Sequence, residues 1–458
     1  MNHPQEKSAL PRRSAHRQRI VFACLVFVLL LPVRTAQAQT ATAATAFGSE
    51  IVTAWADLVL ELVRGTPGFS PPVASRAIGY WGLTLYESVA PGMPGYRSLA
   101  GELPGLQPLP LSPAGAELHW PVVANSASAA ILRRLFANAG PTQMGAITAL
   151  EQSVIDRFST TVAKVTLRQS VEQGRAVAAA IYAWSQSDGG HEGYRFNTPS
   201  TYKAPVGDAF WAPTPPKYAR ALQPYWGQNR TFAPELLERC RLPEPPPYST
   251  SPDSDLYREA WTVYTTVRDL RPDQRLIALY WSDDPGTTST PPGHSLAILT
   301  QTLREQQSSL AAAAESYART GMALSDAFVL AWATKYEYNQ LRPITYIQRV
   351  IDPAWNRPVV LDPVLTPPFP DYPSGHATEC GAAMQVLTDL FGDDYAFVDR
   401  SHERLGYVPR AFPSFNAAAD EAAVSRLYGG IHYPSSNEQG LVAGRCIAGQ
   451  IMALEMKE

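Results

Sequence analysis

Ten segments of this chain carry apolar residues at the spacing of an α-helix, and this is the feature that most restricts its fold. Apolar positions that recur every three or four residues place one face of each helix against a core. Alternating strand patterns are scarce between the segments. We therefore predict an all-α fold, with short strands possible in the linkers. The predicted helices span residues 50–64, 72–89, 120–136, 144–186, 252–268, 292–303, 310–339, 379–391, 417–428 and 437–456.

Residues 187–251 interrupt this rhythm with glycine and proline. The segment contains Gly189-Gly190 and a proline cluster between residues 243 and 247. A loop of this length needs its own aromatic side chains to anchor it. For convenience we divide the chain into an N-terminal helical region, 39–250, with the Pro- and aromatic-rich loop 187–251, and a C-terminal helical region, 251–458.

The first 38 residues have the pattern of a secretory signal peptide. Several arginines precede an apolar run over residues 20–33, and Ala36-Gln37-Ala38 fits cleavage by signal peptidase. The run is shorter than the ~20 residues that span a bilayer, which disfavours the alternative of an uncleaved anchor. We therefore predict an exported protein, periplasmic or secreted, that is cleaved after about Ala38.

The charge of the processed chain excludes some partners. The full chain has 38 Lys and Arg against 41 Asp and Glu, and residues 1–38 hold six of the basic and one of the acidic residues. The remaining chain is therefore net acidic, by about eight charges. Such a chain is a poor binder of nucleic acid or anionic lipid. Since no later apolar run has transmembrane length, we also expect no integral membrane association after processing.

Three cysteines follow the signal segment: Cys240, Cys380 and Cys446. An odd number in an oxidising compartment allows one disulfide at most. Cys380 lies one turn after His376 and Cys446 lies on the last predicted helix. We favour buried thiols over a disulfide for these residues and leave open whether any two of the three are joined.

Three separated segments carry cations, imidazoles and hydrogen-bond donors suited to a tetrahedral oxyanion. In the first, Lys335 and Arg342 are seven residues apart, so a continuous helix would present both on one face before Pro343 ends or bends it. In the second, prolines precede Ser374-Gly375-His376, where a helix can begin with free N–H groups.

The third segment places Arg426 near the end of a predicted helix, followed by a Gly429-Gly430 stop and His432. Arg426 and His432 are close enough in sequence to share one ligand. Three cations, one hydroxyl, one glycine amide and two imidazoles are what a dry site needs to neutralise a multiply charged anion and to transfer protons.

The order and spacing of these segments resemble the signature of the superfamily that joins vanadium-dependent haloperoxidases with type 2 phosphatidic acid phosphatases (PAP2) and bacterial acid phosphatases. The resemblance is tight over residues 280–440 and loose before them. It implies helical bundles that are packed as one globular unit, with vanadate as the cofactor and phosphate able to occupy the same site.

The resemblance also implies a role for each matching residue. Lys335, Arg342 and Arg426 would bind the equatorial oxygens of the anion, and Ser374 and the Gly375 N–H would add hydrogen bonds. His432 would bind vanadium axially or attack phosphorus in a phosphatase. His376 would be the general acid–base.

Flanking residues of the same resemblance favour the haloperoxidase branch. Trp332 and Phe369 stand where chloroperoxidase-like members carry aromatic residues, although both fit equally well as core residues. Asp284 stands where an Asp pairs with the third-segment Arg, which implies that it orients Arg426. Four other histidines, His119, His191, His294 and His402, are not placed with the cluster by their spacing; His294 is the first candidate among them because it follows Asp284 closely.

One position departs from the family pattern. Many members carry Asp four residues after the final His, and here Ser436 occupies that place. An Asp there would hold the imidazole Nδ1 and raise its basicity. Its absence disfavours a histidine nucleophile more than a vanadium ligand.

Three functions remain open at this point. The first is a vanadate-dependent haloperoxidase that oxidises halide, iodide or bromide before chloride, with hydrogen peroxide to hypohalous acid. The second is a periplasmic acid phosphatase that acts on a phosphate monoester through His432. The third is a non-catalytic oxyanion-binding protein. The sequence indicates neither the physiological halogen acceptor nor the oligomeric state.

Overall fold

The structure is a computed structural model that describes residues 42–113, 116–355 and 364–458. The signal peptide that we predict over residues 1–38 lies outside the described residues. The described residues belong to one compact unit, Ala41–Glu458. None of the described helices is long and apolar enough to cross a membrane.

Helices dominate the described chain, which confirms the predicted all-α class. One two-stranded antiparallel sheet is present among the described residues; it pairs β1 (Phe397–Asp399) with β2 (Arg410–Phe412) in a linker. The helices are α1 Glu50–Gly65, α2 Pro71–Val89, α3 Trp120–Leu135, α4 Pro141–Phe158, α5 Lys164–Ser185, α6 Leu236–Arg239, α7 Asp255–Arg268, α8 Pro272–Tyr280, α9 Thr290–Glu305, α10 Leu310–Tyr338, α11 Pro343–Val350, α12 Gly375–Phe391, α13 Phe415–Tyr428 and α14 Pro434–Met452.

The predicted helix 144–186 is wrong as a single element. The structure has α4 and α5 there, separated by residues 159–163. This break contains Ser159, Thr160, Thr161 and Val162, whose β-branched and hydroxyl side chains disfavour a helix interior. The short helices α8 and α11 were also not predicted; each begins at a proline, which is well tolerated in the first turn of a helix.

The central helix α10 is buried along most of its length and packs against α2. Small residues permit this close approach. A Cβ added at Gly82 would lie 2.3 Å from the carbonyl oxygen of Tyr317, and one added at Gly79 would lie 3.0 Å from that of Gly321. Because α2 and α10 come from opposite sides of residue 250, the core is shared by both regions of the chain.

A second close contact joins α12 to α14. A Cβ at Gly444 would lie 2.4 Å from the carbonyl oxygen of Thr378, so only glycine lets the two backbones approach this closely. α12 also packs against α10 and α13. The beginning of α12, the end of α10 and the turn between α13 and α14 are thereby brought together.

Two contacts fasten the long loop 187–251 to the helices. The buried carboxylate of Asp326, in the middle of α10, accepts hydrogen bonds from the backbone N–H groups of Phe232 (2.8 Å) and Ala233 (2.9 Å). Cys240 forms a disulfide with Cys446 of α14, with Cα atoms 5.7 Å apart.

This disulfide corrects our preference for buried thiols. The two cysteines are 206 residues apart in sequence and meet only because the loop folds back onto α14. Cys380 alone of the three has a free thiol, and it is buried as expected.

Candidate active site

The first motif lies on two elements rather than on one helix. α10 ends at Tyr338 after Lys335, its last basic residue, and Asn339 takes a left-handed conformation with φ 48°. Arg342 is the N-cap residue of α11, and Pro343 is the first residue of that helix. The prediction that both cations leave one continuous helical face is therefore wrong; the chain turns between them.

The two cations nevertheless converge on the segment that precedes α12. The Lys335 ammonium donates to the carbonyl oxygens of Pro370 (3.0 Å), Asp371 (2.8 Å) and Pro373. The guanidinium of Arg342 donates from Nε to the Phe369 carbonyl oxygen at 2.8 Å. Backbone carbonyls thus fix both cations without neutralising their charge.

The second motif begins α12, as predicted. Ser374 is the N-cap, and its hydroxyl accepts a hydrogen bond from the N–H of Ala377 at 3.4 Å. Gly375 and His376 form the first turn, where backbone N–H groups have no partner within the helix. Anions are stabilised at such an end by these donors and by the helix dipole.

The third motif surrounds the turn between α13 and α14. Arg426 lies in the last turn of α13 and donates from Nη1 to the carbonyl oxygen of Trp281. Gly430 has φ 65°, a conformation that favours glycine, and the chain then turns inward at His432. The Nη1 of Arg342 donates to the Ile431 carbonyl oxygen (2.8 Å) and lies 3.1 Å from Nε2 of His432.

Asp371 lies beside the other ring nitrogen of His432. Its Oδ1 is 3.0 Å from His432 Nδ1, although the angle at this distance is outside hydrogen-bond geometry. The hydroxyl of Ser436 donates to Oδ2 of the same carboxylate. The chain therefore has a carboxylate at His432 Nδ1, which corrects our inference from Ser436 that none would be there.

Asp371 was missed because it comes from another segment. The resemblance indicates a carboxylate only at the position four residues after the final His, where many members carry Asp and this chain has Ser436. The signal was present in the second motif, since Asp371 stands five residues before His376. In this chain the carboxylate beside His432 comes from the segment that precedes α12, and Ser436 donates a hydrogen bond to it.

Burial controls the charge state of the site. It lowers the pKa of Lys335 well below its usual value, and the neighbouring Arg342 lowers it further. Burial also lowers the pKa of Arg342 and of Arg426 to about 10 each. These shifts mean that the three cationic side chains are removed from water and have too little negative charge near them. A bound anion would supply that charge and stabilise their charged forms.

Both imidazoles are held neutral. Burial lowers the pKa of His432 well below 6.5, and the cations Arg342, Lys335 and Arg426 add to the shift. For His376 the causes are burial and then Arg426. Its ring is partly accessible from a cavity, but its Nε2 is buried and has no hydrogen-bond partner among the described residues. Asp371, by contrast, has its pKa raised by burial to about 6.

Two adjacent cavities meet at His376. The larger, of about 360 Å³, is lined mainly by apolar residues and includes Arg426, Asp283 and Asp284. The smaller, of about 30 Å³, is lined by Gly375, His376 and His432 together with aromatic and aliphatic side chains. His376 and Phe369 line both.

The predicted supporting residues lie around these cavities. Trp332 and Phe369 pack with ring centroids 4.9 Å apart, and the Lys335 Nζ lies 5.1 Å from the Phe369 centroid. Asp284 lines the larger cavity with Arg426 but makes no direct ion pair with it. Its negative charge does partly offset the burial that lowers the pKa of Arg426.

The four other histidines lie outside the two cavities that contain His376 and His432. His294 and His402 are buried beside Asp283, which itself lines the larger cavity. His119 packs against Phe47 and Phe158, and His191 lies near Tyr182. Only the first two are linked to the site.

Comparison with known proteins gives consistent matches. A family model described as the VCPO second helical-bundle domain matches residues 315–457. The vanadium chloroperoxidase of Curvularia inaequalis is 29% identical over 136 residues, which cover 25% of this chain and 22% of that protein. The match thus spans about a fifth of the length of that relative.

Solved structures match over nearly the whole chain. The crystal structure of the first bacterial vanadium-dependent iodoperoxidase has a TM-score of 0.80 and 32% sequence identity, covering 90% of this chain and 98% of that chain. The holo-type bacterial vanadium-dependent chloroperoxidase has a TM-score of 0.63 at 14% identity, covering 85% of this chain and 93% of that chain. The second likeness concerns the fold alone.

Proposed function

This chain belongs to the vanadium-dependent haloperoxidases, and from that premise we propose that it binds vanadate between its three motifs and oxidises halide with hydrogen peroxide. The observation that carries the proposal is a set of buried polar atoms without partners: two arginine N–H groups, which would donate to an anion, and one imidazole nitrogen, which would accept a proton. Arg342 Nη2, Arg426 Nε and His376 Nε2 are all buried and lack a hydrogen-bond partner among the described residues. Leaving such groups unsatisfied costs free energy that an anion between them would recover.

The residues present fit vanadate in charge and in donor type. Lys335, Arg342 and Arg426 supply positive charge, and the N-terminal end of α12 supplies Ser374 and the Gly375 N–H. His432 is neutral, so its Nε2 lone pair is available as a ligand once Arg342 moves its hydrogen bond to the anion. When bound, vanadate supplies Lewis-acid activation of peroxide without a change in its own oxidation state.

The protein then has to place and move protons. His376 is neutral, so its Nε2 is able to accept a proton from peroxide on the cavity side. Asp371 lies on the Nδ1 side of His432, where a carboxylate favours the tautomer that keeps the proton on Nδ1 and the lone pair on Nε2. Trp332 and Phe369 cover Lys335 and keep water away from it, which strengthens its attraction to an anion.

Iodide and bromide are the halides that we propose, before chloride. Both are easier to oxidise than chloride. The iodoperoxidase structure that is 32% identical to this chain supports the same order. The largely apolar lining of the 360 Å³ cavity suits a large, weakly hydrated anion better than a small one.

The test is halide oxidation by purified protein with and without orthovanadate. We expect activity with iodide and hydrogen peroxide only after vanadate is added, and we expect inorganic phosphate to suppress the vanadate-dependent activity because both anions need the same cations. Unchanged activity of the vanadate-loaded protein at saturating phosphate would exclude the shared site.

Two variants separate binding from proton transfer. His432→Ala should weaken vanadate binding, since loss of a ligand or its orienting partner costs ~10–100-fold or more in affinity. His376→Ala should still bind vanadate but lose ~10²–10⁴ of the peroxidase rate. Wild-type vanadate affinity in folded His432→Ala would refute the ligand assignment.

A phosphatase is the second candidate, and one observation favours it. Asp371 beside His432 Nδ1 supplies the carboxylate that a histidine nucleophile needs. Turnover of a phosphate monoester by the vanadate-free protein, together with no halide oxidation after vanadate loading, would make this the main function.

A further inference from the structure

Behind the loop that contacts Arg426 lies a second buried cluster, which the proposed reaction does not use. It consists of two histidines and two aspartates that are at most 4% exposed. They come from the loop after α8, from the second turn of α9, from the end of β1 and from the linker after β1. They are Asp283, His294, Asp399 and His402.

Three of these side chains have the spacing of metal ligands. His294 Nδ1 lies 2.9 Å from Asp283 Oδ2, and His402 Nε2 lies 3.1 Å from Asp283 Oδ1. One ligand atom from each residue lies within 4.8 Å of the others. Zn²⁺ bonds of ~2.0–2.1 Å in a tetrahedral site place neighbouring ligand atoms roughly 3.3 Å apart. Small side-chain movements would therefore admit an ion.

Asp399 completes a pattern that metal-binding histidines commonly show. His294 Nε2 lies 2.7 Å from Asp399 Oδ2 and makes a hydrogen bond with it. A carboxylate on the far nitrogen fixes the tautomer and leaves the near nitrogen free to bind a metal. Here the near nitrogen is Nδ1, which makes a hydrogen bond with Asp283 Oδ2 at 2.9 Å, so a metal ion would take the place of the proton between them.

Unpartnered atoms at the centre of the cluster are an independent indication of a ligand. His402 Nε2 and Asp283 Oδ1 are buried, and the contact between them lacks hydrogen-bond geometry, so neither has a hydrogen-bond partner among the described residues. Buried polar atoms in this state are costly, and a bound ion is one recognised reason for them.

One side of the cluster remains accessible. Asp283, His294 and His402 line a cavity of about 430 Å³, with Ser401, Arg400 and Arg404 around it. A fourth coordination position would face this cavity and could take water, whose acidity the arginines would increase.

We propose that Asp283, His294 and His402 bind one divalent transition ion of the Zn²⁺ type, with water as the fourth ligand. Two imidazoles and one carboxylate suit Zn²⁺ better than Mg²⁺ or Ca²⁺, which prefer oxygen ligands. On binding, the ion displaces the Nδ1 proton of His294 to solvent.

The site would also stiffen the proposed active site. Asp283 follows Ser282, whose backbone hydrogen-bonds with His376, and Trp281, whose carbonyl oxygen accepts from Arg426. An ion at Asp283 would hold this loop to α9 and to the linker after β1. The metal would therefore have a positioning role, and its ligand Asp283 also lines the larger of the two cavities at His376.

The test is metal binding by tag-free full-length protein. Chelator-treated protein is titrated with Zn²⁺, and metal content is measured after dialysis. We expect one Zn²⁺ per chain and a higher thermal unfolding midpoint on binding. His402→Ala should weaken binding ~10–100-fold or more, as expected for a disrupted ligand set.

Controls separate this site from the oxyanion site. His432→Ala should retain Zn²⁺ binding, and His191→Ala should match the wild type. Substitution with Co²⁺ gives visible absorption that reports tetrahedral coordination in the wild type, so the proposal does not depend on a variant that folds poorly.

Failure here is distinguishable from failure of the proposed peroxidase. Absence of a stoichiometric ion in the wild type, or equal Zn²⁺ affinity in folded His402→Ala, would leave the cluster as a metal-free network of Asp–His ion pairs and would overturn the proposal. Vanadate-dependent halide oxidation is measured separately and does not decide this outcome.

Discussion

Asp371 is the residue on which the chemistry of His432 depends most directly. Its carboxylate lies 3.0 Å from His432 Nδ1 and is also 3.6 Å from Arg342 Nη1. A negative charge at this point favours the tautomer with a proton on Nδ1 and the lone pair on Nε2. Ser436 acts only through Asp371, by donating to its other oxygen.

This arrangement predicts unequal effects of two substitutions. Asp371→Asn removes the charge but keeps the size, and we expect vanadate affinity to fall ~10–100-fold, the usual cost of losing a partner of a metal ligand. Ser436→Ala, the matched control, should cost much less because the carboxylate remains. Equilibrium titration with vanadate measures both. If Ser436→Ala weakened binding as much as Asp371→Asn, the carboxylate would not be the main support of His432.

At the scale of the element, α10 serves both the fold and the site. Its last turn carries Lys335, and its middle carries Asp326, which holds the long loop through Phe232 and Ala233. Burial raises the pKa of Asp326 to about 7, although the two N–H groups act in the opposite direction. The loop is therefore attached to α10 through a group that changes charge near neutral pH.

The raised pKa predicts how stability depends on pH. Because the folded protein holds the Asp326 proton more tightly than the unfolded chain, the stabilisation from this group is complete below about pH 4 and is lost as the pH rises to about 7. The Asn side chain in Asp326→Asn cannot titrate. Its amide NH2 would also face one of the two backbone N–H groups, which we expect to lower the free energy of unfolding by ~1–3 kcal/mol.

Urea unfolding between pH 4 and pH 8 measures both effects. The advantage of the wild type over Asp326→Asn should be largest near pH 4, decline until about pH 7 and then stay level. Asp420→Asn, which removes an exposed ion pair with Arg445, is the control and should leave the slope unchanged. A constant difference between wild type and Asp326→Asn would contradict the assignment.

At the scale of the whole molecule, the Cys240–Cys446 disulfide joins the loop to the last helix across 206 residues. Closing so long a segment restricts the unfolded chain, and we expect the double variant Cys240→Ser/Cys446→Ser to lose ~2–4 kcal/mol of unfolding free energy. Neither cysteine lines the two site cavities, so vanadate affinity should not change.

Thiol titration provides the control for this prediction. The oxidised, denatured protein without its first 38 residues should contain one free thiol, from Cys380. Under reducing conditions the stabilities of wild type and double variant should converge. Three free thiols in the oxidised protein would mean that the disulfide does not form.

The sequence by itself determined the helical class and which residues make up each of the three motifs, because both depend on local sequence patterns. Apolar periodicity marks a buried helix face wherever the helix lies, and the pairs Ser374-Gly375 and Gly429-Gly430 mark a helix start and a chain turn from local backbone preferences. The order and spacing of the three motifs, and the family that they resemble, led us to predict that Lys335, His376 and His432 act as one group.

Only the tertiary structure decided which residues meet across the chain. Asp371 replaced a carboxylate expected at Ser436, Cys446 met Cys240, and His294 and His402 gathered around Asp283. Each of these contacts joins separate segments of the chain, and the number of residues between two segments does not predict how far apart they lie in the fold. The contact at His432 also depends on how closely α12 and α14 pack, and Gly444, which permits this packing, acts only once the partner backbone is in place.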